Sequence, residues 1–367
     1  MNTQIQDKFT FKNGQTMRNR VVLAPMTICA SEPGGYVSQA DIDFFARRSR
    51  SVGMVITGST YVHPLGKSFA ESFSGAEDDK IEGLSRLAKA IKDQGALAIV
   101  QLYHGGRMVL PDLIDGQPVA PSAVKAPRDY LAEPRALKNS EVEQVIEDFL
   151  SAIRRAIQAG FDGVELHGAN TYLIQQFVSP HSNVRQDKWG GSLNNRLRFP
   201  KTLLKRAKQL VKEEADLPFL IGYRFSPEEI EEPGIQLYDT MQLLEQLIYH
   251  QVDYLHISTS DVWRSSIRDS QDSEPVIQKI IRKINNRVPL IGVGQIETKQ
   301  DAQRVLDAGI PLFALGKALL LDPDWAEKVV SGREEEVIRT YRDELQADLA
   351  LPTAFVEDAR SYLEGKD

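Results

Sequence analysis

The chain has 367 residues, 42% of them hydrophobic and 26% charged, with a net charge of −7. These are globular values, so a disordered or low-complexity chain is excluded, and the acidic balance argues against a nucleic-acid partner, which shows a basic footprint. The single cysteine, Cys29, excludes an intramolecular disulfide and a thiolate-held zinc or iron–sulfur cluster, and fits a reducing, cytoplasmic setting.

The opening stretch, Met1 to Thr10, is polar and does not read as a secretory signal. From there, short apolar runs alternate with longer stretches of helical period. Val21–Met26 comes first, then a helix over Ser38–Ser51 with Ser38 as its N-cap. Met54–Thr57 precedes a helix near Asp79–Gln94, closed by Gly95. Ala98–Leu102 leads into a long proline-bearing excursion and a helix over Ser140–Ala159, stopped by Gly160. Gly163–Leu166 is followed by a polar loop and a helix at about Asn194–Glu214. Then come Phe219–Tyr223 with a helix over Tyr238–His250, and Tyr254–Ile257 with one over Glu274–Ile284. Leu290–Val293 pairs with a helix over Thr298–Ala308, and Leu312–Leu315 with a short helix from Pro323.

Eight such pairs are the count of a closed parallel barrel. The predicted fold is therefore α/β, a (β/α)8 TIM barrel. It forms one domain over residues 1–367, with extended loops and a charged helical tail from about 332 to 367. An open doubly wound sheet would want a glycine-rich loop after its first strand. Pro25-Met26-Thr27-Ile28-Cys29 stands there instead. No run approaches the ~18 apolar residues of a membrane helix, and no metal-ligand spacing such as His-Glu-x-x-His appears.

In such barrels chemistry sits at the C-terminal strand ends. Gly292-Val293-Gly294 and Gly316-Lys317 follow the last two strands, where backbone N–H groups often hold a phosphate. Strand-end glycines also serve plain tight turns. His167, Asn170 and Tyr172 follow the fourth strand. If a helical turn begins there, His167 and Asn170 share a face and can donate to one oxygen, while Tyr172 is a neutral proton donor near pH 7. A lone histidine or tyrosine there would more often be core. Arg224 ends the fifth strand and is costly to bury without an anionic or electron-rich partner, an internal salt bridge being the plain alternative. Gln101 offers a donor and an acceptor to a ring edge carrying both. His63, His181, His250 and His256 read as structural.

Several segments together are familiar. They are Ala24-Pro25-Met26-Thr27, Gln101-Leu102-Tyr103-His104-Gly105-Gly106-Arg107, His167-Gly168-Ala169-Asn170-Thr171-Tyr172, Gln176-Phe177-Val178-Ser179-Pro180 and Trp189-Gly190-Gly191-Ser192. Gly292-Val293-Gly294, Gly316-Lys317 and Asp322-Pro323 complete the set. In this order and spacing, from about Phe9 to Trp325, the chain resembles the old yellow enzyme family of FMN-dependent NADH:flavin oxidoreductases and ene-reductases. The resemblance implies FMN as cofactor and NADH or NADPH as hydride donor. It implies reduction of electrophilic alkenes (enones, quinones, nitro compounds) by hydride from flavin N5 and a proton from Tyr172. It places His167 and Asn170 on the substrate's electron-withdrawing group. Pro25, Met26, Thr27 and Gly58 would line the flavin ring, Gln101 and Arg224 its pyrimidine edge, and Gly294, Gly316 and Lys317 its phosphate. It implies small-molecule partners, with neither nucleic acid nor membrane, and leaves a homo-oligomer open. Lys317 departs from the family's usual arginine, and Thr27 and Cys29 from the cysteine and tyrosine common in its bacterial branch.

Overall fold

Parallel strands covered on both faces are written as short, continuous apolar runs, and eight of them close this structure. The computed structural model describes residues 3–365. Met1, Asn2, Lys366 and Asp367, the outermost residues of the predicted domain and tail, lie outside the described residues. The barrel strands are β1 (Val21–Leu23), β2 (Met54–Tyr61), β3 (Leu97–Tyr103) and β4 (Gly163–Gly168). They continue as β5 (Leu220–Phe225), β6 (Tyr254–Ile257), β7 (Leu290–Val293) and β8 (Leu312–Leu315). Each pairs in parallel with the next, and β8 returns to β1, so no edge is left exposed.

Seven helices cover the outside: α1 (Gln39–Ser49), α2 (Ile81–Asp93), α3 (Asn139–Gln158), α4 (Arg198–Glu214), α5 (Leu237–Tyr249), α6 (Val276–Ile284) and α7 (Lys299–Asp307). After β8 the chain forms two short helices, α8 (Lys317–Leu321) and α9 (Trp325–Val330). The capping chemistry is local. Ser38 and Asp41 form a reciprocal capping box on α1, as do Thr298 and Asp301 on α7. Among the described residues no helix is long and apolar enough to cross a membrane, and no group of three His, Cys, Asp or Glu could hold a metal.

Strand periodicity sorts the core. Val21 and Leu23 face the helices, while Val22 faces the barrel axis with Met54, Ile56, Ile99, Leu220, Tyr254, Ile291 and Leu312. Phe11 and Met17, from the antiparallel hairpin Phe9–Thr10 and Thr16–Met17, join this inner cluster and close the barrel floor. Toward the C-terminal ends the interior turns polar, with Gln101, Glu165, His167 and His256 all buried.

Element ends differ from expectation for identifiable reasons. β1 stops at Leu23, because Pro25 has no N–H to give the ladder. β4 and β5 run on through His167 and Arg224, since the register His167↔Arg224↔His256 continues the pairing there. α6 starts at Val276 after an extended Pro275. The expected helix from Asn194 is a one-turn helix, Leu193–Arg196, followed by α4. The tail is mostly turns and ends in one helix, α10 (Thr353–Glu364).

Candidate active site

His167 stands at the inner end of β4, with its ring buried. Its Nδ1 accepts the Ala169 N–H at 3.3 Å, so the proton sits on Nε2. Burial first, then the charge of Arg224 and the neighbouring His256, push its pKa well below that of an ordinary histidine. The ring is therefore a neutral donor.

Asn170 is brought to His167 by a turn other than the expected helical one. Asn170 (φ 55°) and Thr171 (φ 63°) are consecutive left-handed residues, a conformation that Asn tolerates better than most side chains. The strain is offset by hydrogen bonds. Asn170 N–H donates to Ser226 Oγ at 3.0 Å, and Ser258 Oγ donates to Asn170 Oδ1 at 2.8 Å. With Oδ1 taken, the Nδ2 group is left to donate. Thr171 N–H donates to Gln175 Oε1, and Gln175 is itself held by Glu229.

Tyr172 follows as the N-cap of the short helix Leu173–Val178. Its ring stands edge-on to His167, with centroids 4.9 Å apart at 86°, and packs against Tyr103 at 5.2 Å. Burial pushes its phenol up to about 12. His167 and Tyr172 are thus in ring contact at the barrel mouth, and Asn170 stands on the left-handed turn between them.

In the loop after β1, Thr27 Oγ1 accepts the Ser59 N–H at 3.1 Å. β2 breaks register between Ile56 and Ser59, and Gly58 sits in that irregularity. A Cβ on Gly58 would lie 2.6 Å from the Met26 carbonyl oxygen, so only glycine lets the Pro25–Thr27 backbone come this close. Gln101 on β3 donates from Nε2 to Glu165 Oε1 at 2.8 Å. Arg224 on β5 keeps a buried Nε with no hydrogen-bond partner among the described residues.

Across the mouth, Thr259, Ser260, Gly294, Gly316, Lys317 and Tyr362 line a cleft of about 390 Å³. Gly294 has φ +113°, and a Cβ there would lie 2.7 Å from the Ser260 carbonyl carbon. Lys317 Nζ lies 4.8 Å from the Tyr362 ring centroid and has no acidic partner among the described residues. The tail helix α10 therefore reaches this cleft, which the tail's composition gave no reason to expect.

Residues 7–336 match the model of the NADH:flavin oxidoreductase / NADH oxidase family. The chain belongs to this family. An NADH:fumarate oxidoreductase of Klebsiella pneumoniae (strain 342) is 48% identical over 340 residues, covering 92% of this chain and 37% of that protein. The chain thus spans just over a third of that relative's length. A probable NADH-dependent flavin oxidoreductase of Bacillus subtilis (strain 168), YqiG, is 45% identical, covering 90% of this chain and 89% of its own. The solved old yellow enzyme homologue of Zymomonas mobilis is 25% identical and superposes with a TM-score of 0.81, covering 96% of this chain and 99% of that one.

FMN is the cofactor, and the residues of this chain fit that group. The Arg224 Nε, unpartnered among the described residues, and the remaining N–H of the Gln101 amide would suit a polar ring edge. The close backbone at Gly58 suits a flat ring. The glycine-lined cleft with an unpaired lysine suits a phosphate.

Four residues escaped the sequence reading. Ser226 and Ser258 orient Asn170, and nothing in a lone serine announces that. Glu165 on β4 and His256 on β6 meet inside the barrel, over β5, at 2.9 Å. A carboxylate inside an apolar strand run was the available signal for Glu165, whereas His256 read as structural.

Proposed function

We propose that the chain is an NAD(P)H-dependent oxidoreductase that reduces activated C=C bonds of small molecules such as enones, quinones and nitro compounds. What carries this reading is a pair of free donors beside a neutral acid. His167 Nε2–H and Asn170 Nδ2 have no other partner among the described residues, and Tyr172 stands edge-on to His167. When bound, FMN would supply the hydride chemistry between NADH or NADPH and the substrate.

The protein's own groups do the rest. His167 and Asn170 bind one carbonyl or nitro oxygen and draw electron density out of the double bond. Neutral donors suit this work, because the developing charge is met by fixed dipoles already in place. Tyr172 holds the proton that the α-carbon receives, and burial, by raising its pKa, keeps it protonated well above the physiological range as well. Pro25 to Thr27, Gly58, Gln101 and Arg224 hold the flavin ring. Gly294, Gly316 and Lys317 hold its phosphate. Residues 1–367 act as one FMN barrel, with the tail from about 332 docked at the phosphate cleft. The Klebsiella relative is named for fumarate, itself an electron-poor alkene, which supports this substrate class.

The test is a panel of enones, quinones, nitroalkenes and unsaturated acids offered to NADH- or NADPH-reduced protein under anaerobic conditions. Rapid return of flavin absorbance with activated alkenes is expected. Reoxidation by none of them would overturn the reading.

A further inference from the structure

Glu165 lies inside β4 and is fully buried. A carboxylate in such a place costs several kcal/mol unless it is well held. Gln101, His256 and Arg224 hold this one, and the buried Tyr254 phenol stands near it as well. Gln101 Nε2 donates to Oε1 at 2.8 Å, and His256 Nδ1 meets Oε2 at 2.9 Å. Arg224 attracts it through space. Burial alone would raise the carboxyl's pKa; His256 and Arg224 outweigh that and hold it below the ordinary carboxylate range.

The bonding has a direction. An ionised carboxylate only accepts hydrogen bonds. His256 must therefore carry its proton on Nδ1, and the Gln101 amide must turn its nitrogen toward Glu165. Gln101 Oε1, which accepts from Ser59 Oγ at 3.3 Å, then faces away from the carboxylate. Glu165 thus decides which way the Gln101 amide is turned. It also sets a fixed negative charge against Arg224.

We propose that Glu165, anchored by His256, is a positioning residue that orients Gln101 and offsets the charge of Arg224, and so sets the affinity and reduction potential of the bound flavin. It touches no reacting atom. The proposal rests on Gln101 and Arg224 facing the flavin ring, and is independent of which substrate reoxidises it. Reduction adds electron density to the ring. Arg224 favours that change, and Glu165 restrains it.

Glu165→Gln keeps the shape and removes the charge. Its side chain has one accepting end, so it cannot serve both His256 and Gln101 unless the Gln101 amide turns over. Oxidised FMN should bind about fivefold more weakly, the worth of one hydrogen bond. Relative to the oxidised form, reduced FMN should bind about tenfold more tightly, a rise of about 30 mV for a two-electron couple. Glu165→Asp keeps the charge and should leave the potential near that of the wild type. Both quantities are read by titrating apoprotein with FMN and by equilibrium reduction against a reference dye, without any alkene. Arg224→Met serves as the comparison and should move the potential the other way. If Arg224→Met shifts the potential and Glu165→Gln does not, the role of Glu165 is overturned while the flavin site stands. If neither shifts it, both are overturned. Should Glu165→Gln fail to fold, wild-type protein still decides. Its reduced-minus-oxidised infrared spectrum should show a perturbed carboxylate, and a new protonated-carboxyl band on reduction would overturn the proposal.

Discussion

Replacing Tyr172 with Phe removes one oxygen and leaves the ring. The ring is held by the edges of His167 and Tyr103, at 4.9 and 5.2 Å, and its backbone by the start of the helix Leu173–Val178. Phe satisfies all of these contacts, so folding stability should change by less than about 0.5 kcal/mol. The catalytic loss is far larger. General acid catalysis is worth ~10²- to 10⁴-fold, or about 3 to 5 kcal/mol of barrier at about 1.4 kcal/mol per factor of ten. A proton donor acts while it is protonated. Because burial pushes Tyr172 up to about 12, wild-type enone reduction should show no ionisation of Tyr172 through pH 10, where an exposed tyrosine would already be half ionised at about pH 10. Stopped-flow absorbance separates the two halves: bleaching of the flavin by NADH should be spared, and its return with a weakly activated enone should slow a hundredfold or more, that is by ~10² or greater. Quinones should suffer less, since their oxygens can take protons from water. Equal slowing of both halves, or a large fall in thermal midpoint, would mean that Tyr172 only packs the pocket. An enone rate equal to wild type would place the proton elsewhere.

Other perturbations address the remaining parts. Arg224→Met should weaken FMN binding by about 10- to 100-fold, the worth of a charge-assisted hydrogen bond; unchanged affinity in a titration of apoprotein would remove Arg224 from the site. Gly294→Ala adds a Cβ 2.7 Å from the Ser260 carbonyl carbon at φ +113°, and should cost on the order of 1–3 kcal/mol with a loss of FMN affinity. Gly160→Ala, also at positive φ but with open space around it, should lower the thermal midpoint without touching FMN binding; equal losses of affinity would refute a role for Gly294 in the cleft. Phenols should bind the oxidised protein with a long-wavelength charge-transfer band that His167→Ala with Asn170→Ala abolishes, and survival of the band would put the ligand elsewhere. Because His167 is held neutral, its own ionisation should add no inflection near pH 6.5 to that binding; an inflection there that His167→Gln removes would show that the imidazole ionises.

The strands were readable because each is a short apolar run bounded by glycine or polar residues, and β7 and β8 match their expected limits residue for residue. Strand ends were harder, because they depend on the neighbour. Whether β5 includes Arg224 is decided by pairing with His167 and His256, which no local pattern contains. His167, Asn170 and Tyr172 could be picked out by type and position after a strand. The left-handed pair Asn170–Thr171 that gathers them could not, since neither residue is glycine and the stabilising hydroxyls come from β5 and β6 loops far away in sequence. Glu165 shows the same limit from inside the barrel. Its partners are 64 and 91 positions away.

A barrel plugged at its floor has one door. With Phe11 and Met17 packed at the bottom in the apolar cluster around Tyr254 and Leu312, the way in among the described residues is the mouth where His167, Asn170 and Tyr172 stand. An electron donor and an electron acceptor that share so narrow an opening must take turns. Steady-state rates should therefore trace parallel lines in double-reciprocal form, and an excess of either partner should compete with the other for the empty doorway.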